Sequence, residues 1–530
     1  MTNPISDIEK AEVILVTGSN TTENHPVISS YIKRAVKFKK AKLLVIDPRR
    51  IKLTKFATKW LRPEPGTNVA WINGLIRVIL KEKLYDQSFV KDRTINFDKL
   101  EKSVEKYTPE HVGSVTGINA ADLIETAKLY AKAKPANILY CMGITQHTSG
   151  TDNVKALANL AMVCGNLGKE GGGLNPLRGQ NNVQGACDMG GLPNVFTGYQ
   201  KVDDDTLRAK MEKAWNVEGL SGKPGMPLTE MMPEASKQIK SLYIIGENPI
   251  ISDPDTKHVE KSLKSLEFLV VQDIFMTETA KMADVVLPST CFAEKEGTFS
   301  NTERKVQRVR KAVNAPGIAL GDWEIIARLS EKMGYKMAYE SSREIMDEIA
   351  SVTPSYCGIN YERLDNGGIQ WPCPALDHPG TPILHKKEFT CGRGVFHDIE
   401  YKLSTEIISK EYPLILTTGR VLYHYHTGTM TMKTKGLNER APECFIEISP
   451  EDAEEYNFKN GDTANIESER GAVSAKIKLS HQAVKGTVFM PFHYANAAAN
   501  MLTSAQLDPV SKIPELKVCA VKLTLVKDKI

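Results

Sequence analysis

A pattern of buried strand, Gly-x-Asn, helix and a second buried strand ending in aspartate occurs twice in the chain. The first copy spans AEVILVTGSNTTENHP (11–26) and AKLLVIDPRR (41–50), and the second spans KSLYIIGENPI (240–250) and LEFLVVQDIFMTETA (266–280). The helices between these strands carry apolar residues on one face: Ile28, Ile32, Ala35 and Val36 in the first copy, Val259, Leu263 and Leu266 in the second. Because apolar strands that alternate with amphipathic helices form parallel sheets, the duplication predicts two doubly wound α/β domains.

The glycine and the aspartate of each copy have the spacing of a nucleotide site. Gly18 and Asp47 are 29 residues apart, and Gly246 and Asp273 are 27 apart. A glycine after a strand lets a ligand approach the backbone, the next helix offers free N–H groups to a diphosphate, and the aspartate can bind a ribose hydroxyl or a base edge. Neither copy contains G-x-G-x-x-G, which disfavours an ordinary NAD site. A glycine turn after a strand is common, so the prediction of two nucleotide sites depends on the repetition.

Length, charge and cysteine usage narrow the class of protein. A chain of 530 residues is too long for one hydrophobic core, so we expect about three to four domains. The net charge of +4 is small for this length, which argues against nucleic acid or a membrane surface as a partner. The nine cysteines are scattered without a CxxC pair, so we expect free thiols and no metal ligands. No apolar run approaches the roughly 20 residues of a membrane span and no signal-peptide pattern is present, so we expect a cytoplasmic protein.

From about residue 386 the sequence changes to short strands separated by turns. YPLILTTGR (412–420) reads as a strand, and NGD (460–462) and ERG (469–471) are turns between further strands. Strands at this spacing predict a C-terminal β-barrel over residues 386–530. Ser449 followed by proline predicts the start of a helix within this region.

A cluster of polar side chains follows the first of these strands. Its members are Tyr423, His424, Tyr425, His426, Thr427 and Thr429. A surface loop that carries histidines by chance explains this cluster as well as a binding role does. A metal site is disfavoured, because no third ligand with suitable spacing follows the two histidines.

The segment LRGQNNVQGACDMGG (177–191) fits neither a helix nor a strand pattern. It contains four glycines, four side-chain amides and one arginine in fifteen residues, with few apolar residues to bury. A linker does not need this density of hydrogen-bonding groups, and glycines allow a ligand to approach the backbone closely. The segment is therefore a candidate binding surface.

Six segments, spread from the first part of the chain to the last, carry a resemblance to a known family. They are LRGQNNVQGACDMG, GNLGKEGGGLNP (165–176), GENP, QDIFMTETAKMADVVLPS, GRVLYHYHTGTMT and LDPVSKIPELKVCAV. Together they resemble the catalytic subunit of molybdenum- or tungsten-dependent formate dehydrogenases, within the dimethyl-sulfoxide-reductase family. Related nitrate reductases share the general layout and the HTGTMT-type loop, but their counterpart of residues 178–190 reads differently.

The resemblance implies a bis-molybdopterin guanine dinucleotide cofactor that holds one molybdenum or tungsten. Two dinucleotides agree with the two nucleotide sites that the duplication predicts. The implied domains are a first cofactor-binding α/β domain at 1–180, a second at 181–292 and 322–343, a remnant of the iron–sulfur domain at 293–321 and 344–385, and the barrel at 386–530, which closes over both pterins. In this arrangement segment 177–191 lies between the two α/β domains, beneath the metal.

The resemblance also implies which residues contact the cofactors. They are Gly18, Asn20, His25, Asp47, Arg49, Gly66, Asn68, Gly143, Gln146 and Gln180, then Gly246, Glu247, Asn248, Gln272, Asp273 and Thr277, and finally Gly419, Arg420, His424, His426, Thr427, Thr429, Asn500 and Lys517. None of the nine cysteines takes the place of the family's metal ligand.

Arg178 matches the substrate arginine of the family. Formate is a planar carboxylate, which a guanidinium group can bind through two parallel hydrogen bonds. A structural salt bridge is the alternative role for this arginine. The implied reaction is the two-electron interconversion of formate and CO2. Electrons would leave to an iron–sulfur electron-transfer subunit, such as a hydrogenase or diaphorase module.

Family members begin with a cysteine-rich segment that holds a [4Fe–4S] cluster and continue to a selenocysteine or cysteine that binds the metal. The counterpart of TNPISDIEK lies shortly after that ligand in the family, so we expect this chain to start just downstream of both groups. Two alternatives stay open at this point. One is another bis-pterin oxidoreductase such as a nitrate reductase, and the other is a non-catalytic structural subunit of an electron-transfer complex.

Overall fold

The computed structural model describes residues 1–526, which form two compact units. Unit 1 contains Met1–Leu177, Ile251–Lys257 and the residues from Ile383 onwards, and unit 2 contains Arg178–Ile250 and His258–Pro382. The finer domain boundaries drawn from the sequence stay predictions.

The strands of the described residues are, in chain order, β1 (Val13–Thr17), β2 (Lys42–Ile46), β3 (Lys59–Leu61), β4 (Thr94–Ile95), β5 (Ala136–Tyr140), β6 (Leu174–Pro176), β7 (Ser241–Ile245), β8 (Phe268–Asp273), β9 (Val285–Pro288), β10 (Gly297–Ser300), β11 (Lys305–Val309), β12 (Ile369–Gln370), β13 (Gly394–Val395), β14 (Leu414–Gly419), β15 (Phe445–Ile448), β16 (Thr463–Ser468), β17 (Gly471–Leu479), β18 (Thr487–Pro491) and β19 (Cys519–Leu525).

The α-helices are α1 (Thr21–Asn24), α2 (Pro26–Lys39), α3 (Asn68–Lys81), α4 (Gln87–Arg93), α5 (Phe97–Val104), α6 (Pro109–Thr116), α7 (Ala120–Lys132), α8 (Met142–Thr145), α9 (Gly150–Val163), α10 (Val183–Asp188), α11 (Asp205–Trp215), α12 (Leu228–Met231), α13 (Pro249–Ser252), α14 (Thr256–Lys264), α15 (Asp322–Lys332), α16 (Ser342–Val352), α17 (Tyr361–Asp365), α18 (Lys435–Asn438) and α19 (Pro450–Glu455). Within residues 1–526, none of these helices has both the length and the apolar character needed to cross a membrane.

Unit 1 contains a five-stranded parallel sheet in the order β3-β2-β1-β5-β6. Helix α2 packs Ile28 and Ile32 against one face, where Ile14 of β1 lies, and Trp71 of α3 packs on the other face with Leu15. Every residue of β1 is buried, as expected for a strand covered on both sides. The doubly wound α/β architecture predicted for the first copy is therefore confirmed.

The C-terminal part of unit 1 is a closed barrel with the strand order β14-β18-β15-β17-β16-β19. Alternate residues of its strands fill a core of their own, which includes Leu416, Ile446 and Ile466. Ser449 accepts a hydrogen bond at 3.0 Å from the backbone nitrogen of Asp452 and caps α19. The predicted barrel and the predicted helix start are both confirmed.

Unit 2 contains two sheets. The strands of the second copy form a parallel sheet in the order β7-β8-β9, and Val259 and Leu263 of α14 pack on it beside Leu269. Strands β10, β11 and β12 form an antiparallel sheet, whose core includes Val306 and Tyr356. Both copies of the sequence pattern therefore fold as parallel strand–helix–strand units, as predicted.

Candidate functional site

A cleft opens in unit 1 at the carboxyl ends of β1, β2 and β5, the edge at which parallel sheets bind ligands. Its other side is lined by the end of β14 with Arg420, by Phe489 of β18 and by Lys517, which precedes β19. Ten of the residues predicted to contact a cofactor line this cleft: Gly18, Asn20, Asp47, Arg49, Gly66, Asn68, Gly143, Gly419, Arg420 and Lys517. The structure thus brings together predicted residues from both ends of the chain, and we call this the unit 1 cleft.

The backbones of Gly18 and Gly143 touch at the base of the unit 1 cleft. The Gly143 nitrogen donates a hydrogen bond to the Gly18 carbonyl at 3.0 Å. A Cβ atom on Gly143 would lie 2.6 Å from the Gly18 Cα, and one on Gly18 would lie 2.7 Å from the Gly143 carbonyl carbon. Gly18 also has a φ of +57°, a conformation that favours glycine. Neither position accepts a side chain, so the base of the cleft is bare backbone.

Asn20 carries two buried polar atoms that face no protein partner. Both its Oδ1 and its Nδ2 lack a hydrogen-bond partner among residues 1–526. An unsatisfied buried polar group costs about 1–3 kcal/mol, so a native structure usually supplies a partner. Its amide offers one acceptor and two donors, which fits a polar ligand in the unit 1 cleft.

Three cations and two carboxylates line the unit 1 cleft: Arg49, Arg420 and Lys517, and Asp47 and Glu64. The guanidinium of Arg49 donates to Oε1 of Glu447 at 2.5 Å and stacks on the Phe489 ring at 3.6 Å, so its charge is already matched. Arg420 and Lys517 line the same cleft as Asp47 and Glu64, and these two cations can bind an anionic ligand such as a diphosphate.

Burial changes the acidity of two of these groups. Desolvation raises the pKa of Asp47 to about 6, although the nearby charges of Arg49 and Lys517 oppose this rise. Desolvation and the charge of Arg420 lower the pKa of Lys517 to about 8. The Lys517 ammonium group donates to the Thr418 carbonyl at 2.6 Å. Both pKa values therefore lie closer to neutral pH than the ordinary values do, and an anionic ligand would favour the protonated, charged form of Lys517.

Asp47→Asn is expected to stabilise the ligand-free protein above pH 6. A pKa raised from 3.8 to about 6 means that the folded state favours the protonated acid, so stability is lost as the pH rises through this window. That shift corresponds to at most about 3 kcal/mol. Asparagine keeps an acceptor for the backbone nitrogen of Arg49, which donates to Oδ1 of Asp47 at 2.9 Å. Thermal unfolding at pH 7.5 and at pH 4 tests this, and a lower midpoint than wild type at pH 7.5 would contradict it.

The polar loop after β14 is held by its own hydrogen bonds. His424 is buried, and its Nε2 donates to the Ala441 carbonyl at 2.6 Å, while Thr427 and Thr429 join through their hydroxyls at 2.9 Å. Desolvation and the charge of Arg420 lower the pKa of His426 to about 4. His424, buried with fixed partners, is therefore unlike a chance histidine of a surface loop, whereas His426 is half-buried. Their predicted contact with a cofactor stays a prediction.

The sequence did not single out two further histidines: His147, which lines the unit 1 cleft, and His493, which fixes the polar loop after β14. His493 donates from Nδ1 to the His426 carbonyl and accepts at Nε2 from the Val421 nitrogen at 2.9 Å, which fixes a neutral ring. His147 donates from Nε2 to the Gly143 carbonyl at 3.0 Å, and its Nδ1 lies 3.0 Å from Oε1 of Glu515. His147 follows β5 within GITQHTSG, a position at a strand end that could have indicated it.

The remaining predicted residues of unit 1 lie outside the lining of the cleft. Asn500 is buried, and its Nδ2 donates to the carbonyls of Ile251 at 3.0 Å and Ser252 at 2.8 Å, so this amide fixes a neighbouring segment. His25 is buried at the start of α2, and the Gln146 carbonyl accepts from the Leu516 nitrogen at 3.3 Å.

The second copy of the pattern, in unit 2, has the same backbone but different polar contacts. Gly246 has a φ of +63°, and a Cβ atom there would meet nothing within 4 Å. Asn248, unlike Asn20, is satisfied within the protein: its Oδ1 accepts from the Thr279 hydroxyl at 2.7 Å, and its Nδ2 donates to Glu278 at 2.8 Å. The glycine of this copy therefore leaves more space than that of the first.

The other predicted residues of this copy surround the end of β8. The Gln272 carbonyl accepts from the Gly246 nitrogen at 2.8 Å, and its side chain donates to Asp322 at 2.7 Å. Desolvation raises the pKa of Asp273, whose carboxylate accepts from the Ile274 nitrogen at 2.6 Å. Thr277 is buried and caps the following turn, and Glu247 directly follows Gly246.

Segment 177–191 contains a short helix, α10, which the sequence pattern did not indicate. The expectation that it is neither helix nor strand was therefore wrong for Val183–Asp188. Arg178 is exposed, and its backbone nitrogen donates to the Thr302 hydroxyl at 3.0 Å. Asn182 has a φ of +59° and accepts at Oδ1 from the Ser300 nitrogen at 2.9 Å. Gln180 is half-buried between these two anchors.

Comparison with known proteins adds independent observations. Residues 1–332 match the family described as molybdopterin oxidoreductase, and residues 414–520 match the molybdopterin dinucleotide binding domain. The chain is 56% identical over 527 residues to the F420-dependent formate dehydrogenase subunit alpha of Methanocaldococcus jannaschii, which covers 99% of this chain and 78% of that protein. It is 38% identical over 536 residues to formate dehydrogenase H of Escherichia coli, which covers 100% of this chain and 75% of that protein.

Among solved structures, acetylene hydratase from Pelobacter acetylenicus has the same fold. The TM-score is 0.77 at 19% identity, and the match covers 98% of this chain and 80% of that one.

Proposed function

The chain belongs to the molybdopterin oxidoreductase family, in the group of formate dehydrogenase catalytic subunits, and from this membership we propose that it interconverts formate and CO2. Oxidation of formate releases CO2, one proton and two electrons. The bound metal, molybdenum or tungsten in a bis-molybdopterin guanine dinucleotide, supplies the redox chemistry of this reaction.

The position of Arg178 supports the proposal. Arg178 is an exposed residue whose backbone nitrogen donates to the Thr302 hydroxyl, so its planar cationic side chain extends from a fixed point of the backbone. Such a group can hold a carboxylate in one orientation through two charge-assisted hydrogen bonds. Nearby Gln180 offers a further donor and acceptor.

The unit 1 cleft is proposed to hold one of the two dinucleotides. The bare backbone at Gly18 and Gly143 permits close approach of the ligand, and the Asn20 amide offers it a donor and an acceptor. Arg420 and Lys517 supply positive charge for a diphosphate. The second dinucleotide is assigned to the glycine–aspartate copy of unit 2, at Gly246 and Asp273, where a ligand would meet open space.

A partner subunit is proposed to receive the electrons. The relative from Methanocaldococcus jannaschii is named as F420-dependent and as subunit alpha, which supports a multi-subunit enzyme. We propose that this partner is an iron–sulfur electron-transfer subunit. It would pass the electrons to F420, or it would belong to a hydrogenase or a diaphorase module. A cytoplasmic location fits such soluble electron carriers.

The purified holoenzyme, isolated with its partners, is expected to reduce a viologen dye with formate. It should contain molybdenum or tungsten and two guanine nucleotides per metal atom, measured by elemental analysis and by nucleotide release. Nitrate-dependent oxidation of reduced dye without formate activity would indicate a nitrate reductase instead. Absence of both metal and pterin would indicate a structural subunit.

A further inference from the structure

Asp188 is a fully buried carboxylate at the end of α10, ten residues after Arg178. Its side chain receives four hydrogen bonds. Oδ1 accepts from Nε2 of Gln184 at 2.8 Å and from the Tyr199 hydroxyl at 2.9 Å. Oδ2 accepts from the Tyr356 hydroxyl at 2.6 Å and from Nε1 of Trp371 at 2.7 Å. Four donors match the acceptor capacity of an ionised carboxylate.

The charge of Asp188 acts on the tyrosines that bind it. Desolvation and the neighbouring Asp188 charge raise the pKa of Tyr356 and of Tyr199, which keeps both hydroxyls protonated as donors. Such a buried network is stable only when it is complete, because each donor or acceptor left without a partner would destabilise the fold by its full desolvation penalty. The geometry of the four donors therefore fixes the end of α10 tightly.

The same network reaches the start of segment 177–191. The Tyr356 hydroxyl also lies 3.1 Å from the hydroxyl of Ser300, the last residue of β10. Residues 300–302 bind the segment twice, through the Ser300 nitrogen to Asn182 and through the Thr302 hydroxyl to the Arg178 nitrogen. Asp188 and the backbone of Arg178 are therefore joined through one tyrosine and residues 300–302, all within unit 2.

We propose that Asp188 is a positioning residue for Arg178: with Tyr356 and residues 300–302, it fixes the backbone from which the guanidinium meets the substrate. This inference rests on the proposed function, since it assigns Asp188 to the same site. Its physical basis is orientation, because a displacement of about 1 Å in a group that holds a substrate can lower a rate about 10²-fold.

Asp188→Asn in the holoenzyme is expected to raise KM for formate about 10-fold, with a smaller fall in kcat and unchanged metal content. Asparagine keeps the shape but turns an NH2 group toward two of the four donors. Hydrogen exchange of the backbone amides of residues 178–188 should become about 10-fold faster, while the barrel strand β14 keeps its wild-type rate. The exchange measurement does not depend on turnover.

Asp452→Asn is the matched control. Asp452 is also a buried carboxylate, in the barrel, where it accepts from the Ser449 hydroxyl at 3.0 Å and the Gly486 nitrogen at 2.8 Å. The Asp452→Asn substitution should lower thermal stability without changing KM for formate or the hydrogen exchange of residues 178–188. Tyr356→Phe removes one donor and the link to Ser300, and it should change KM and exchange in the same direction as Asp188→Asn, by a smaller factor.

If Asp188→Asn fails to fold, Tyr356→Phe decides the question. Wild-type KM and wild-type exchange of residues 178–188 in the variants that fold would overturn the positioning role. Absence of formate turnover in the wild-type holoenzyme would instead refute the proposed function, whatever the exchange data show.

Discussion

Replacing Arg178 with alanine in the complete enzyme is expected to lower kcat/KM for formate by ~10²–10³ while the metal and pterin contents stay at wild-type levels. A preorganised donor that acts on a charged reacting group contributes roughly 2.7–4 kcal/mol, which corresponds to that factor. Arg178→Lys keeps the charge but not the planar pair of donors, so it should keep part of the activity with a higher KM. Formate kinetics and metal analysis on the same preparations measure both quantities.

Arg310→Ala serves as the control for Arg178→Ala. Arg310 is another exposed arginine of unit 2, and it pairs with Asp365 at 2.6 Å on the surface, where such pairs contribute little. Its replacement should leave formate kinetics unchanged. Normal turnover in Arg178→Ala would show that Arg178 does not bind the substrate. Loss of metal from that variant would favour the structural role that the sequence left open.

Gly143→Ala is expected to lose most of its cofactor and roughly 3 kcal/mol of folding free energy, the upper end of what overpacking costs. The added methyl group would lie 2.6 Å from the Gly18 Cα, and neither atom can rotate away, because a Cβ is fixed by its own backbone and Gly18 lies directly after β1. The backbone at Gly18 or at Gly143 must therefore move, and this movement displaces the base of the unit 1 cleft. Thermal unfolding and guanine release after purification measure the two effects.

Gly436→Ala tests whether any added methyl group has this effect. Gly436 lies in the short helix α18 with no atom within 4 Å of the Cβ position, so alanine there should change stability by at most about 1 kcal/mol. Wild-type midpoint and guanine content in Gly143→Ala would show that the strand ends tolerate a side chain, and would remove the argument for a bare backbone site.

Features that depend on sequence periodicity were predictable, because burial imposes it directly. Ile28 and Ile32 recur at helical spacing and do lie on the buried face of α2, and Leu416 and Ile466 belong to barrel strands that were predicted from turns. The paired glycine–aspartate pattern likewise indicated where β1, β2, β7 and β8 end. In each case the signal lies within one short stretch of the chain.

Features that depend on distant partners were not predictable. Asn20 and Asn248 occupy the same place in the repeated pattern, but only Asn248 finds partners in Thr279 and Glu278. Helix α10 contains a glycine and begins after a left-handed residue, so its local sequence does not favour a helix. It is held at Asp188 by side chains as far as 183 residues away, which no local pattern reveals.

The two sides of the unit 1 cleft are synthesised at different times. Its strand-end side is encoded before residue 177, whereas its barrel side begins at β14, after the 237 residues that lie between Pro176 and Leu414. A ribosome that adds roughly 5–20 residues per second needs on the order of 10–50 s to make that interval. During synthesis the strand-end side of the cleft, which contains Gly18, therefore exists for many seconds before the barrel side has been made. A dinucleotide can be enclosed in this cleft only near the end of translation or after the finished chain is released.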